Sequence, residues 1–483
     1  MNTVKLLIDG QKRDAVDQKT FTRMNPITGE VASVAAAAQP ADVQAALESA
    51  EKAFHVWSKL GPTERRKRLL KAADLMDQRA EEFVLTARQE TGSTNSWYGF
   101  NVHLSANILR EAAAMTTQID GSIIPSDLPG SLSMGFRVPC GVILSIAPWN
   151  APVILATRAV AMPLACGNTV ILKASELCPA THALIGEVLN DAGIGEGVIN
   201  VVTNAPEDAA SVVEQLIAHP AVKRVNFTGS TKVGKIIAGT AAKYLKPVLL
   251  ELGGKAPVIV CEDADLDQAV EGVAFGAFFN QGQICMSTER LIVSEKIADE
   301  FLEKLVAKIK RIKVGSPDLE DTTFAYLESE NSVKRITALI EDAVAKGASL
   351  PVPLQTDGAL MHPLIVNGIT PEMKLYYEES FGPVATMTTF KTEEEAVRLA
   401  NDTAYGLSSA VFTQNLNKGL DIAKQIDSGI CHINGPTVHD EAQAPFGGSK
   451  ESGYGRFGSK SAINEFTELR WVTIQTTPRQ YPL

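Results

Sequence analysis

Val142-Ile-Leu-Ser-Ile-Ala147, with Thr169-Val-Ile-Leu-Lys173 and Val198-Ile-Asn-Val-Val202 after it, is the stretch that decides the fold. Each run is short, apolar and rich in β-branched residues, the composition of a strand buried on both faces. Runs of the same kind recur at Arg224–Phe227, Pro247–Leu250 and Val258–Cys261. Between the first five lie helix-like stretches near 152–165, 179–192, 206–218 and 231–244. Strands alternating with helices of that length pair in parallel through crossovers. A doubly wound α/β layer is expected, with ligand sites at the carboxyl ends of its strands.

Upstream, Met1 to Gly10 reads as a short strand into a turn. Ala41 to Leu60, Pro62 to Thr91 and Tyr98 to Gln118 each carry apolar stripes at three- and four-residue spacing, the helical period. Downstream, a second α/β alternation runs from Leu266 to Gly429, with helical stretches at 264–280, 297–313 and 333–346 and strand-like Leu291–Ser294 and Ala385–Phe390. Ile119–Val138 and the tail after Asn464, with Leu469-Arg-Trp-Val-Thr-Ile-Gln475, fit neither unit. Extended segments outside a domain's own sheet pair with another edge, so these are expected to form an oligomerisation arm.

A chain of 483 residues exceeds one ordinary core and implies two to four domains. A formal charge of −11 speaks against nucleic acid as a partner. The six cysteines form no CxxC pair and none sits at zinc-ligand spacing with histidine, a pattern suited to a reducing compartment. The longest apolar region, Gly141 to Val170, is interrupted by Arg158, Pro163 and Gly167-Asn168, so no membrane span is expected. The N-terminus lacks the apolar core of a signal peptide, which makes the cytoplasm the expected location. His432 and His439 lie seven apart with no matched carboxylate spacing, and no metal is expected there.

Four clusters carry chemistry. In Phe279-Asn-Gln-Gly-Gln-Ile-Cys285 a glycine turn delivers a cysteine between a helix and a strand. A lone cysteine is more often a small buried hydrophobe, and a nucleophilic thiol needs a base or a lowered pKa. In Leu249-Leu-Glu251-Leu-Gly-Gly-Lys255 a carboxylate follows apolar strand residues. It is either a loop cap paired with Lys255 or a base whose pKa is raised by its surroundings. Its two glycines would let the backbone approach a ligand. In Ala147-Pro-Trp-Asn150 an asparagine ends a strand, where it is either a turn residue or an oxyanion donor. Lys173-Ala-Ser-Glu176 and Phe227-Thr-Gly229-Ser230 also stand at strand ends, with groups suited to ribose and pyrophosphate. No G-x-G-x-x-G accompanies them.

Together these motifs resemble the aldehyde dehydrogenase superfamily, as do Glu379-Ser-Phe-Gly-Pro383, Pro445-Phe-Gly-Gly448 and Ser452-Gly-Tyr-Gly455, in the family's order over nearly the whole chain. The resemblance implies an aldehyde dehydrogenase-like α/β fold. It has a variant Rossmann NAD(P)-binding domain (1–118 and 139–251), a second α/β catalytic domain (252–430) and a small β oligomerisation arm (119–138 and 465–483). Residues 431–464 would return to the NAD(P)-binding domain and the substrate channel. It implies Cys285 as nucleophile, Glu251 as base for the hydrolytic water, and Asn150 with the Cys285 backbone NH as oxyanion hole. Trp149, Lys173, Glu176, Gly229, Ser230, Glu379 and Phe381 would hold NAD, with NADP the alternative. The segment 315–335 lacks a Gly-Pro-Leu-Ile element common in the family, which leaves only that loop's structure in doubt.

Within the superfamily, Trp97–Val102, Arg110–Gln118, Asn150–Arg158, Cys285–Arg290 and Gly429–Gln443 resemble the benzaldehyde-type branch, which acts on vanillin, 4-hydroxybenzaldehyde or salicylaldehyde. Tyr98, Phe100, Met286 and Phe446 are candidate walls for an aryl ring, and Arg158 a candidate partner for a phenolate or carboxylate. The implied enzyme is a homodimer or homotetramer. The rival readings are an aliphatic aldehyde or semialdehyde substrate, a CoA-acylating enzyme, which typically lacks the base that Glu251 supplies, and a non-catalytic binding protein on the same fold.

Overall fold

The computed structural model describes every residue except Glu320 and Leu483. Strands of the first unit lie side by side in the order Val248–Glu251, Val222–Thr228, Val142–Ile146, Thr169–Lys173, Ile199–Val202, all parallel. Leu6–Ile8 and Gln11–Arg13 extend one edge antiparallel, and Gly453–Tyr454 extends the other. Strand order reverses beside Val142–Ile146, whose two neighbours are Val222–Thr228 and Thr169–Lys173. Crossover helices must leave on opposite faces at that point, and a crevice opens between the loops that follow.

Period-2 alternation explains why the strands are apolar throughout. Val170 and Leu172 feed one core while Ile171 feeds the other, and Ile143 and Leu144 divide in the same way. Each such buried side chain contributes roughly 1.5–3 kcal/mol. The expected crossover helices form at Pro152–Ala165, Pro179–Asp191, Ala209–Ala218 and Thr231–Lys243.

The second unit is an all-parallel sheet: Leu364–Asn367, Val384–Phe390, Thr288–Ser294, Ala256–Val260, Ser408–Phe412 and Ile430–Ile433. The run beginning at Val258 therefore belongs to this sheet, and the chain leaves it after Ile433. The segment 431–464 is divided between the two units, since Gly453–Tyr454 pairs with Val248–Glu251 of the first. Gly121–Ile124, Ser131–Pro139 and Thr467–Gln475 pair with one another in a separate antiparallel sheet. Ile123, Leu469 and Trp471 on it are 70%, 65% and 73% exposed.

One expected helix is broken. Pro62 to Thr91 forms two helices, Pro62–Gln78 and Ala80–Thr91, because Arg79 leaves helical geometry at φ −98°, ψ 18°. Its guanidinium donates to Glu82 at 2.7 and 3.0 Å and to Glu187 at 3.3 Å, which fixes the bend. The loop after Gly315 is irregular, closed by a bridge between Val314 and Phe324. The next helix begins at Glu330, where the Ser329 hydroxyl accepts from the Ser332 backbone at 3.3 Å.

Candidate active site

Two cavities meet at Cys285, one of about 770 Å³ and one of about 480 Å³, and Asn150 and Leu155 also line both. Cys285 reaches this junction on a tightly wound loop. The helix Leu266–Phe278 ends, and Asn280, Gln281 and Gly282 follow with φ of 49°, 57° and 70°. Two successive non-glycine residues in the left-handed region are costly and persist only where neighbours over-determine them. Asn280 supplies that restraint: its amide donates to the Asn150 carbonyl at 3.0 Å, and its Oδ1 accepts from Ser93 at 2.6 Å. A β-carbon on Gly282 would sit 2.1 Å from the Gly382 carbonyl oxygen.

Glu251 ends the strand Val248–Glu251 and is almost wholly buried, and among the described residues neither of its carboxylate oxygens has a hydrogen-bond partner. Burial pushes its carboxyl up to about 7. Burial, and then the Glu251 charge, hold the Cys285 thiol well above its ordinary range. Lys255 does not pair with Glu251; it pairs with Glu289 at 2.5 Å. The two glycines after Glu251 admit protein groups. A β-carbon on Gly254 would lie 2.1 Å from the Cys285 carbonyl oxygen, and one on Gly253 would lie 2.6 Å from the Glu379 carboxylate.

The larger cavity occupies the crevice at the strand-order reversal. Lys173, bonded to Glu176, stands at one strand end, and Asn204 donates to Glu176 at 3.0 Å. Ser230 caps the helix Thr231–Lys243, leaving a helix N-terminus beside Gly229 on the cavity wall. Val213, Val233 and Ile236 supply an apolar slot between two helices. At the other end, Glu379 accepts from the Gly254 backbone at 2.7 Å and is pushed up to about 8 by burial and by Glu289. Trp149 and Phe381 meet edge to face at 5.9 Å. An apolar slot, a carboxylate–lysine pair, a helix N-terminus and a second carboxylate are the kinds of group that can hold adenine, ribose, pyrophosphate and a second ribose.

Sequence reasoning missed the residues that hold this end in place. Glu289 accepts from the Ser380 backbone at 2.9 Å and the Phe381 backbone at 3.1 Å, and Arg335 donates to the Glu379 carbonyl at 3.2 Å. Phe381 itself lies at φ 45°. Glu289 lies in the Cys285–Arg290 stretch and Arg335 in no motif, and only the three-dimensional pairing ties either to the Glu379–Phe381 loop.

The smaller cavity is walled by aromatic rings. Trp97 packs edge to face on Phe279 at 5.0 Å, Phe275 stacks on Phe279 at 4.7 Å, and Phe100, Met286 and Phe446 complete the lining. Tyr98 requires correction. Its ring is only 1% exposed and turned into the core, where its hydroxyl bonds Thr91 and accepts from the Ser93 backbone at 3.1 Å. On a helix, adjacent residues point about 100° apart, so Trp97 takes the wall and Tyr98 the core. Arg158 lines the cavity already paired, bonded to Asp440 at 2.6 Å and lying over the Phe446 ring at 4.4 Å. His432 and His439 bring their rings to 4.9 Å, and His439 contacts Glu441 at 2.9 Å.

The sequence profile of the Aldehyde dehydrogenase family matches residues 13–472. The chain belongs to that family. It is an NAD(P)-dependent aldehyde dehydrogenase, and its cavities have the layout such an enzyme needs. Across 483 residues, all of both chains, it is 58% identical to a vanillin dehydrogenase of Pseudomonas fluorescens. It is 49% identical to a salicylaldehyde dehydrogenase of Pseudomonas putida over 99% of each chain. A crystal structure of a salicylaldehyde dehydrogenase from Pseudomonas putida G7 complexed with salicylaldehyde superposes with a TM-score of 0.98, at 48% identity and full coverage of both chains.

Proposed function

We propose that this aldehyde dehydrogenase oxidises an aromatic aldehyde of the vanillin, 4-hydroxybenzaldehyde or salicylaldehyde type to its carboxylic acid, using NAD. The observation that carries this reading is the aromatic-walled cavity opening onto Cys285. The names of its relatives point the same way.

Cys285 Sγ attacks the aldehyde carbon as the thiolate, its proton released to solvent. The Asn150 amide and the Cys285 backbone NH stabilise the oxyanion. Bound nicotinamide supplies the two-electron acceptor for the oxidation. Glu251 then deprotonates the water that hydrolyses the Cys285 thioester. Lys173, Glu176, Gly229, Ser230, Trp149, Phe381 and Glu379 hold the dinucleotide. Lys173 is already engaged by Glu176, and the Glu176 carboxylate repels a 2′-phosphate, so NAD is favoured over NADP.

The domain reading follows the sheets: a dinucleotide-binding unit, a catalytic unit, and an arm whose exposed apolar face seats a second subunit in a homodimer or homotetramer. Six unpaired cysteines fit a reducing cytoplasm.

A panel of vanillin, 4-hydroxybenzaldehyde, salicylaldehyde, hexanal and succinic semialdehyde, each with NAD and NADP, tests the reading through kcat/KM. The aromatic members with NAD are expected to lead. Preference for the aliphatic members would refute the substrate, and preference for NADP the cofactor.

A further inference from the structure

The aromatic cavity contains an acceptor, Asp440 Oδ1, that has no hydrogen-bond donor among the described residues. Arg158 and Asp440 are 6% and 8% exposed and both line the cavity. Arg158 Nη2 donates to Asp440 Oδ2 at 2.6 Å, and its guanidinium rests on Phe446. Asp440 Oδ1 is buried and has no hydrogen-bond partner. Two neighbouring donors on the wall bond protein carbonyls. The Trp97 indole donates to the Asn150 carbonyl at 3.0 Å, and the Asn150 amide to the Gln283 carbonyl at 2.9 Å.

A buried ion pair is weak evidence for stability, because apolar residues of similar volume often serve as well. A buried acceptor left without a donor is unfavourable by itself. Both features become intelligible when the missing donor arrives with the ligand. An aldehyde oxygen only accepts, so the donor must be a substituent on the ring. A ring carboxylate would be repelled by Asp440.

We infer that Asp440 is a specificity-determining residue: its Oδ1 accepts a hydrogen bond from a phenolic hydroxyl of the substrate, so the enzyme selects hydroxylated aromatic aldehydes. Arg158 acts through Asp440, holding the carboxylate in the wall. Sites that hydrogen-bond a substrate hydroxyl discriminate strongly against analogues lacking it, since their polar groups are then left unpaired.

The inference rests on the aromatic-aldehyde reading, and the test separates the two. For the 2-, 3- and 4-positions, kcat/KM is measured for the hydroxybenzaldehyde and for the methoxybenzaldehyde, which accepts but cannot donate. The readout is the ratio of each pair on one enzyme preparation, so any loss of folded protein cancels. The wild type is expected to favour the hydroxyl by about tenfold or more for at least one isomer. That ratio should fall toward one in Asp440→Ala, and equally in the double variant Arg158→Met with Asp440→Leu, which leaves no unpaired charge. A wild type without preference, or a preference that survives the double variant, overturns the inference while methoxybenzaldehyde turnover sustains the aromatic reading. Turnover of hexanal with none of any benzaldehyde overturns both.

Discussion

The Asn150 side-chain amide donates to the Gln283 carbonyl at 2.9 Å, and the Asn280 amide returns to the Asn150 carbonyl at 3.0 Å. This reciprocal clamp joins the switch-point loop of the first sheet to the loop carrying Cys285, across the boundary of the two α/β units. Asn150 thus holds the loop that carries the thiol.

Asn150→Ala is expected to lower kcat by about 10²–10³, the usual effect of losing one oxyanion donor. NAD affinity, followed by fluorescence titration, should change little, because Lys173, Glu176 and Glu379 are untouched. An unchanged kcat would remove Asn150 from the oxyanion role.

Glu251 carries a pH signature. With its carboxyl at about 7 rather than 4.5, it is protonated and unable to accept a proton in mild acid. Thioester hydrolysis in single turnover should rise with pH through about 7, and this limb should vanish in Glu251→Gln. For stability the raised pKa means that the neutral carboxyl suits the fold. Its contribution is complete below 4.5 and is lost as pH rises through about 7. Glu251→Gln should therefore gain on the wild type by up to about 3 kcal/mol between pH 5 and pH 8 in denaturant melts. A gain in the opposite direction would mean that Glu251 is not buried as described.

The buried Lys255–Glu289 pair braces the Glu379–Phe381 loop. Glu289→Ala leaves a buried lysine unpaired and is expected to cost about 3–5 kcal/mol by chemical denaturation. The KM for NAD should rise with it, since Glu379 and Phe381 lose their anchor. A variant destabilised but with unchanged KM for NAD would show the brace to be structural only.

Trp471, Ile123 and Leu469 expose apolar surface on a sheet whose outer strands are both unpaired edges within the chain. Trp471→Asp is expected to shift the sedimentation-derived mass toward the monomer. A wild type that is already monomeric would contradict the arm reading.

The parts of this molecule legible in the sequence are those with a local periodic cause. Val142–Ile146 and Thr169–Lys173 announce themselves because burial on both faces demands unbroken apolar runs, and the crossover helices follow from their spacing. Cys285, Glu251 and Asn150, which line one cavity, each stand in a motif that the sequence shows. What stayed hidden depends on pairing between distant residues. The bend at Arg79 is held in part by Glu187, more than a hundred positions away. Glu289 stands in the Cys285–Arg290 stretch, but nothing in the sequence pairs it with Lys255 or with the Glu379–Phe381 loop. Tyr98 and Trp97 are neighbours in sequence, and only the helix phase decides which faces the cavity. For Arg158 the sequence leaves open a substrate contact or an ion pair, and no spacing signal names Asp440 as its partner.

The most direct test of the central claim is the mass of the enzyme after rapid mixing of Glu251→Gln with NAD and vanillin. The expected result is a burst of about one NADH per site followed by slow turnover, with one acyl group on the peptide containing Cys285 and none in Cys285→Ala. A Glu251→Gln enzyme that turns over at the wild-type rate, or forms NADH with no acyl group on Cys285, would contradict the assignment of nucleophile and base.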